Sequence, residues 1–282
     1  HGGPGIPNRG SLMTSQAYLA EKFIVVAYDQ RGTGGSYFGA KADSLTIKRM
    51  CADIKELTEY LCEKFDKKKL FLIGGSWGTE LGTFFIKEHP ERIIAYIGIG
   101  QTVDGVKNEE NSWNFAFEKA TAANDIKSIK TLNEVGPPVK GVYKDGVKGL
   151  MKERNVLNKY GGFTTSKGLY ASFVKPILLS KEYTLRDKIG IIFGTTYTLK
   201  TMWADIVNYD FQQTHTEFEV PYYIMQGRLD NTTSAALIED FYNAVSAPKK
   251  GLIWFENSAH HPQTAEKDKF IEELDKIIIN NA

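Results

Sequence analysis

Leu70-Phe71-Leu72-Ile73-Gly74-Gly75-Ser76-Trp77-Gly78-Thr79 is the stretch from which the fold can be read. The run Leu70 to Ile73 is continuously apolar and ends on two glycines, the pattern of a strand buried on both faces. From Trp77 to Glu88 the apolar spacing turns helical. Ser76 therefore falls on a sharp strand-to-helix turn. Glycines two before and two after it let neighbouring backbone approach without a Cβ clash. A serine held there lies at a strand's carboxyl end and beside a helix N-terminus, whose N–H groups favour developing negative charge. A G-x-S-x-G in this setting makes Ser76 the candidate nucleophile.

Outward from this turn, short apolar runs alternate with helical patterns. Strands are expected at Phe23–Tyr28, Leu70–Gly74, Ile93–Gly98, Tyr222–Gln226 and Gly251–Phe255, and helices at Ser44–Lys64, Trp77–Glu88, Ser234–Ala244 and Glu266–Ile279. Such alternation predicts an α/β fold, a mostly parallel sheet with helices on both faces. It breaks between residues 103 and 218, which are richer in Lys, Asn and Thr and hold helix-like segments at Glu110–Asn124 and Asp125–Glu134. The expected organisation is a core of residues 1–102 and 219–282 with a helical cap inserted at 103–218.

A serine nucleophile needs a base, and the base an orienting carboxylate. There are five histidines. His260, in Ser258-Ala259-His260-His261-Pro262 after the last expected strand, reaches the same sheet edge as Ser76 and is the candidate base; His261 is its alternative. Asp230, in Gly227-Arg228-Leu229-Asp230 after the preceding strand, is the candidate acid, with Asp210 and Glu256 as weaker choices. Helix capping is a second use for Asp230. The chain order Ser, Asp, His differs from that of chymotrypsin and subtilisin. His1-Gly2-Gly3-Pro4-Gly5 reads as a loop able to aim a backbone N–H inward, so the amides of Gly3 and Trp77 are the expected oxyanion donors. Asp29-Gln30-Arg31-Gly32-Thr33-Gly34-Gly35-Ser36 lacks the P-loop Lys-Ser/Thr and the dinucleotide glycine spacing. It reads as a strand-end turn braced by Asp29 and Arg31.

Composition bounds the rest. The chain has 282 residues, with 35 Lys+Arg against 34 Asp+Glu, a formal net charge of +1. That leaves no basic footprint for nucleic acid, and no apolar run approaches the roughly 18 residues that span a bilayer. Cys51 and Cys62 fall on one expected helix about 16 Å apart, too far for a mutual disulfide. A cytoplasmic location is the default expectation.

The segments HGGPG (1–5), DQRGTGGS (29–36), GGSWG (74–78), GRLD (227–230) and SAHH (258–261) together resemble the α/β-hydrolase superfamily, and more narrowly its proline iminopeptidase branch. The resemblance covers about 1–102 and 219–282. It implies the α/β-hydrolase fold and an acyl-enzyme mechanism with Ser76, His260 and Asp230 as triad. No metal or organic cofactor is implied. It also implies release of N-terminal residues from short peptides or amides, with cap acids binding the free amine. Glu109, Glu110, Glu118 and Asp205 are candidates for that contact, and Trp113 and Trp203 for lining the pocket. The first strands of the family's sheet are expected before His1 and are not in the sequence. The cap also lacks the family's Trp-x-x-Trp-Glu pattern: Trp113 is followed by Phe115, Phe117 and Glu118. An esterase or amidase acting on small apolar acyl groups is the alternative, and a non-catalytic binding protein on the same fold a more distant one.

Overall fold

The computed structural model describes residues 1–10, 12, 16–165 and 175–281. Among these, four parallel strands form one sheet in the order β1 (Leu70–Gly75), β2 (Ile93–Ile99), β3 (Tyr222–Gly227) and β4 (Lys250–Phe255). The register aligns their carboxyl ends: Gly75 pairs with Ile99, Ile99 with Met225, and Gly227 with Phe255. Every loop that leaves a strand in the chain direction therefore emerges on one edge.

Alternation along the strands sorts the core into two layers. Tyr96, Tyr222 and Ile224 face one side, where they meet Met50, Cys51 and Ile54 of α1 (Ile47–Lys64) and Leu81, Phe85 and Ile86 of α2 (Trp77–Glu88). Ile97, Ile99, Met225 and Phe255 face the other, against Phe270, Leu274 and Ile277 near the C-terminus. Helices cover both faces because strands buried on both sides offer no face to water. Thr46 starts α1 by accepting the Arg49 N–H at 3.1 Å, the expected role of a hydroxyl at a helix start. Cys51 and Cys62 both lie on α1, buried and unlinked.

Between β2 and β3 the chain is helical: α3 (Gly105–Ala122), α4 (Ile126–Val135), α5 (Val147–Lys159) and α6 (Leu185–Ile206). The first three share a small core of Ala116, Ala120, Leu132, Val156 and Leu157. The end of α6 contributes Met202 and Ile206 to the main core instead. Gly190 and Gly194 let α6 lie on the 32–34 turn, since a Cβ there would sit 2.2 Å from the Gly34 carbonyl oxygen and 2.4 Å from that of Gly32.

One expected strand does not form. Phe23–Tyr28 carries no regular secondary structure and joins no ladder among the described residues, and Ile24 and Val26 are 65% and 45% exposed. Its apolar run satisfies the strand pattern, but a strand also needs a neighbour for its backbone groups, and among the described residues β1 pairs with β2 alone. The 29–36 turn is braced as its residues suggest. Asp29 accepts from the Gly35 N–H at 2.9 Å and pairs with Arg9, while Arg31 forks onto Asp53 at 2.7 and 3.0 Å.

Candidate active site

Ser76 follows β1 and precedes α2 with φ 54° and ψ −123°, a conformation that L residues rarely adopt. Its surroundings explain the flanking glycines. A Cβ on Gly74 would lie 2.4 Å from the Gly78 carbonyl oxygen, and one on Gly78 would lie 2.9 Å from that of His1. The turn is pinned on both sides. The Ser76 N–H donates to the Ile99 carbonyl at 2.9 Å, and the Thr79 hydroxyl donates to the Ser76 carbonyl at 2.7 Å.

Asp230 and His260 meet at the same edge. His260 Nδ1 lies 2.8 Å from Asp230 Oδ2, both side chains being buried. Asp230 Oδ1 accepts the backbone N–H groups of Thr232 at 2.8 Å and Thr233 at 3.0 Å. Oδ2 also accepts from the Thr233 hydroxyl at 2.7 Å and from Gln226 Nε2 at 3.1 Å. The loops that carry the pair are packed backbone to backbone: a Cβ on Gly227 would fall 1.9 Å from the Ala259 carbonyl oxygen, and the Leu229 N–H donates to the Ser258 carbonyl at 3.0 Å. His260 reaches the serine turn through Gly100, the residue after Ile99, where a Cβ would meet the imidazole Cε1 at 3.0 Å. Ser76, Ile99, Gly100 and His260 are thus successive neighbours.

His261 differs from His260. Burial, reinforced by the neighbouring His260, pushes it down to about 3, so it stays neutral. Neither Asp210 nor Glu256 contacts His260 among the bonds of the described residues. Asp210 caps the short helix Phe211–Thr214, and Glu256 forks onto exposed Arg228.

The first five residues lie over the start of α2, with His1 against Gly78. Gly3 has φ 112°, and the Gly5 carbonyl accepts the hydroxyls of Thr33 and Thr195 at 2.8 and 2.7 Å. Trp77 opens α2, so its N–H belongs to the first-turn donors that lack a carbonyl partner within the helix. Its indole N–H is fixed on Gln30 Oε1 at 2.9 Å.

Of the acids expected to meet a substrate amine, Glu110, Glu118 and Asp205 are exposed, whereas Glu109 is buried. Glu109 belongs to a cluster that the sequence did not suggest. Arg154, on α5, lies between Glu109 (2.5 Å) and Glu153. Burial pushes the Glu153 carboxyl up to about 7, against the pull of Arg154. Glu109 Oε2, Glu153 Oε1 and Trp113 Nε1 are buried without a hydrogen-bond partner among the described residues. Trp113 and Trp203 pack against the small core group of Val135, Tyr143 and Leu150. Asn108 joins the Glu109–Arg154–Glu153 cluster to the acid loop: its amide donates to the Thr232 carbonyl at 2.8 Å and to Glu109 at 3.2 Å, and it accepts the Ser234 N–H at 2.7 Å. On the other side, His260 N–H donates to the Phe163 carbonyl at 3.0 Å, and the Phe163 ring lies 5.3 Å from the imidazole.

Residues 1–131 match the family model described as alpha/beta hydrolase fold. The fold and that match agree. The chain has the α/β-hydrolase fold. Over 278 residues it is 29% identical to the probable aminopeptidase YbaC of Bacillus subtilis, covering 98% of this chain and 86% of that protein. It is 32% identical to a proline iminopeptidase of Arabidopsis thaliana over 199 residues, which are 69% of this chain and half of that protein. The crystal structure of a proline iminopeptidase-related protein from Thermus thermophilus superposes with a TM-score of 0.68 over all of this chain and 88% of that one, at 17% identity. No helix among the described residues of this α/β hydrolase is long and apolar enough to cross a membrane.

Two signals for the missed residues were present in the sequence. Gln226 is a lone amide at the end of an apolar strand, and Arg154 a cation flanked by Glu153 in a helical stretch. Neither points to its distant partner, Gln101 for Gln226 and Glu109 for Arg154, which lie 125 and 45 residues away.

Proposed function

We propose that this α/β hydrolase is a serine aminopeptidase working through an acyl-enzyme. The observation that carries the reading is the 2.8 Å Asp230–His260 bond on the sheet edge that also presents Ser76 in a strained turn. His260 takes the Ser76 proton as the hydroxyl attacks the acyl carbonyl. The N–H groups of Gly3 and Trp77 receive the oxyanion. His260 then gives its proton to the leaving amine, and water, deprotonated by the same imidazole, cleaves the ester. Asp230 fixes the tautomer with the proton on Nδ1 and stabilises the imidazolium. The helical segment 103–218 serves as the cap.

The aminopeptidase part rests on charge. Two buried carboxyls share one guanidinium in the Glu109–Arg154–Glu153 cluster, so that ionised Glu153 leaves one negative charge in excess, and two carboxyl oxygens are unpartnered among the described residues. A substrate ammonium supplies both the missing charge and the missing donors. The relatives named as aminopeptidase and proline iminopeptidase support the same substrate class.

The test compares proline and alanine arylamides with p-nitrophenyl acetate and butyrate, with Ser76→Ala as control. Arylamide turnover that needs Ser76 and disappears when the amine is acylated is expected. Turnover of esters alone would replace the aminopeptidase reading with an esterase one, and full activity in Ser76→Ala would remove the nucleophile.

A further inference from the structure

Gln226, the next-to-last residue of β3, has no exposure. Its partners fix which way it points. Oε1 accepts the backbone N–H of Gln101 at 2.9 Å, a group that can only donate. Nε2 therefore faces two acceptors, Asp230 Oδ2 at 3.1 Å and the Thr233 carbonyl at 2.9 Å. The segment Gln101–Thr102, just past β2, is gripped from the other side by α2. The Thr102 N–H donates to the Thr79 hydroxyl at 2.9 Å, and that hydroxyl donates to the Ser76 carbonyl at 2.7 Å. The Gln101 side chain closes the segment on itself by donating to the Thr102 carbonyl at 2.8 Å, and accepts from the Tyr96 hydroxyl at 3.0 Å. Gln101, Thr79 and Tyr96 are all buried.

We propose that Gln226 is a positioning residue of the catalytic apparatus: its amide orients the Asp230 carboxylate and, through Gln101–Thr102 and Thr79, holds it in register with Ser76. This rests on the triad reading above. Strand pairing alone leaves the two loops free to shift independently beyond Gly75 and Gly227. A continuous buried hydrogen-bond path removes that freedom, and in a dry site each bond is stronger than in water.

Asp230 Oδ2 is shared between Gln226 Nε2 and His260 Nδ1, so a change in what residue 226 offers that oxygen changes what the oxygen offers the imidazole. Among the described residues, the titratable groups facing His260 are Asp230 and His261, whose ring centroid is 5.0 Å away and which burial keeps neutral. The other elements packed on it bring Gly100, Thr233 and Phe163, which carry no charge. Gln226→Met removes the donor. Gln226→Glu keeps the acceptor for Gln101 but sets a second carboxyl against Asp230.

The experiment follows phosphonylation of Ser76 by a fluorophosphonate, read by intact mass from about pH 4 to about pH 10, where the acid limb reports the free base. In Gln226→Glu that limb is expected to rise by about one pH unit, and in Gln226→Met by a smaller step in the same direction. The rate near pH 6 falls about tenfold in Gln226→Glu as a result, and KM for the substrate found by the panel changes less than about twofold, because Gln226 touches no substrate. An acid limb that stays at the wild-type position in folded variants overturns the proposal, including the case of a rate lowered equally at every pH, which is what a merely structural amide gives. If Gln226→Met does not fold, the isosteric Gln226→Glu carries the test. A wild-type protein that is not labelled at Ser76 overturns the triad reading and this proposal with it, whereas an unmoved limb overturns this proposal alone.

Discussion

Asp230→Asn keeps the shape of the candidate acid and changes only what its oxygens can do. The geometry dictates how the new amide must turn. Oδ1 receives two backbone N–H groups, from Thr232 at 2.8 Å and Thr233 at 3.0 Å, and neither can accept a bond. The asparagine carbonyl must therefore occupy that position, which leaves its NH2 group where Oδ2 was. There it faces His260 Nδ1, formerly at 2.8 Å, and Gln226 Nε2, formerly at 3.1 Å. Gln226 cannot flip to accept, because its Oε1 is held by the Gln101 N–H at 2.9 Å. Two consequences follow from these contacts. His260 must accept at Nδ1 and carry its proton on Nε2, so it cannot take the proton of Ser76. Two amide donors are also left facing each other in a dry site. The wrong tautomer lowers kcat about ten-thousand-fold, as for the same exchange in serine proteases, or about 5 kcal/mol in the barrier. The opposed donors lower stability by about 1–3 kcal/mol. Steady-state kinetics on the best substrate of the panel, with thermal melts of both proteins, read the two effects separately. A folded Asp230→Asn enzyme within tenfold of wild type in kcat would refute the assignment of Asp230 as the residue that sets the imidazole tautomer.

Three further outcomes are expected. Glu153 has its folded value raised to about 7 by burial, above the unfolded carboxyl value, so between about pH 4.5 and 7 the native state holds more proton than the unfolded one. Stability from this group is present at low pH and is lost as pH rises through that window, by up to about 3 kcal/mol; Glu153→Gln should flatten that part of the stability profile in urea melts, and an unchanged slope would contradict the assignment. Gly227→Ala drives a Cβ to 1.9 Å from the Ala259 carbonyl oxygen, so the His260 loop must shift and both activity and about 3 kcal/mol or more of stability should be lost; a Tm within two or three degrees of wild type would show that the loop yields freely. Ser76 adopts φ 54°, so Ser76→Gly should melt above Ser76→Ala by the equivalent of about 1 kcal/mol while both lack activity; equal melting temperatures would mean that the turn stores no strain.

The serine turn was legible from residues alone, because its determinants are local: an apolar strand, two glycines and a helical pattern within a few residues of Ser76. The same is true of the alternation that gives a parallel sheet, since parallel strands each need a crossover and are buried on both faces. Placement of Asp230 and His260 on the serine's edge also followed from chain order, because consecutive strands in such a sheet all end on one side. What the chain could not express locally was pairing. Phe23–Tyr28 has a strand's apolar run and joins no ladder among the described residues, because a ladder is a property of two segments. Glu109, Glu110, Glu118 and Asp205 are equivalent acids in sequence; burial beside Arg154 separates Glu109 from the rest. Gln226 looked like the end of a strand until its amide was found between Gln101 and Asp230, the first of them 125 residues away. Periodicity and turn chemistry act over a few residues and can be read along the chain, whereas desolvation and hydrogen-bond partnership are set by groups that only folding brings together.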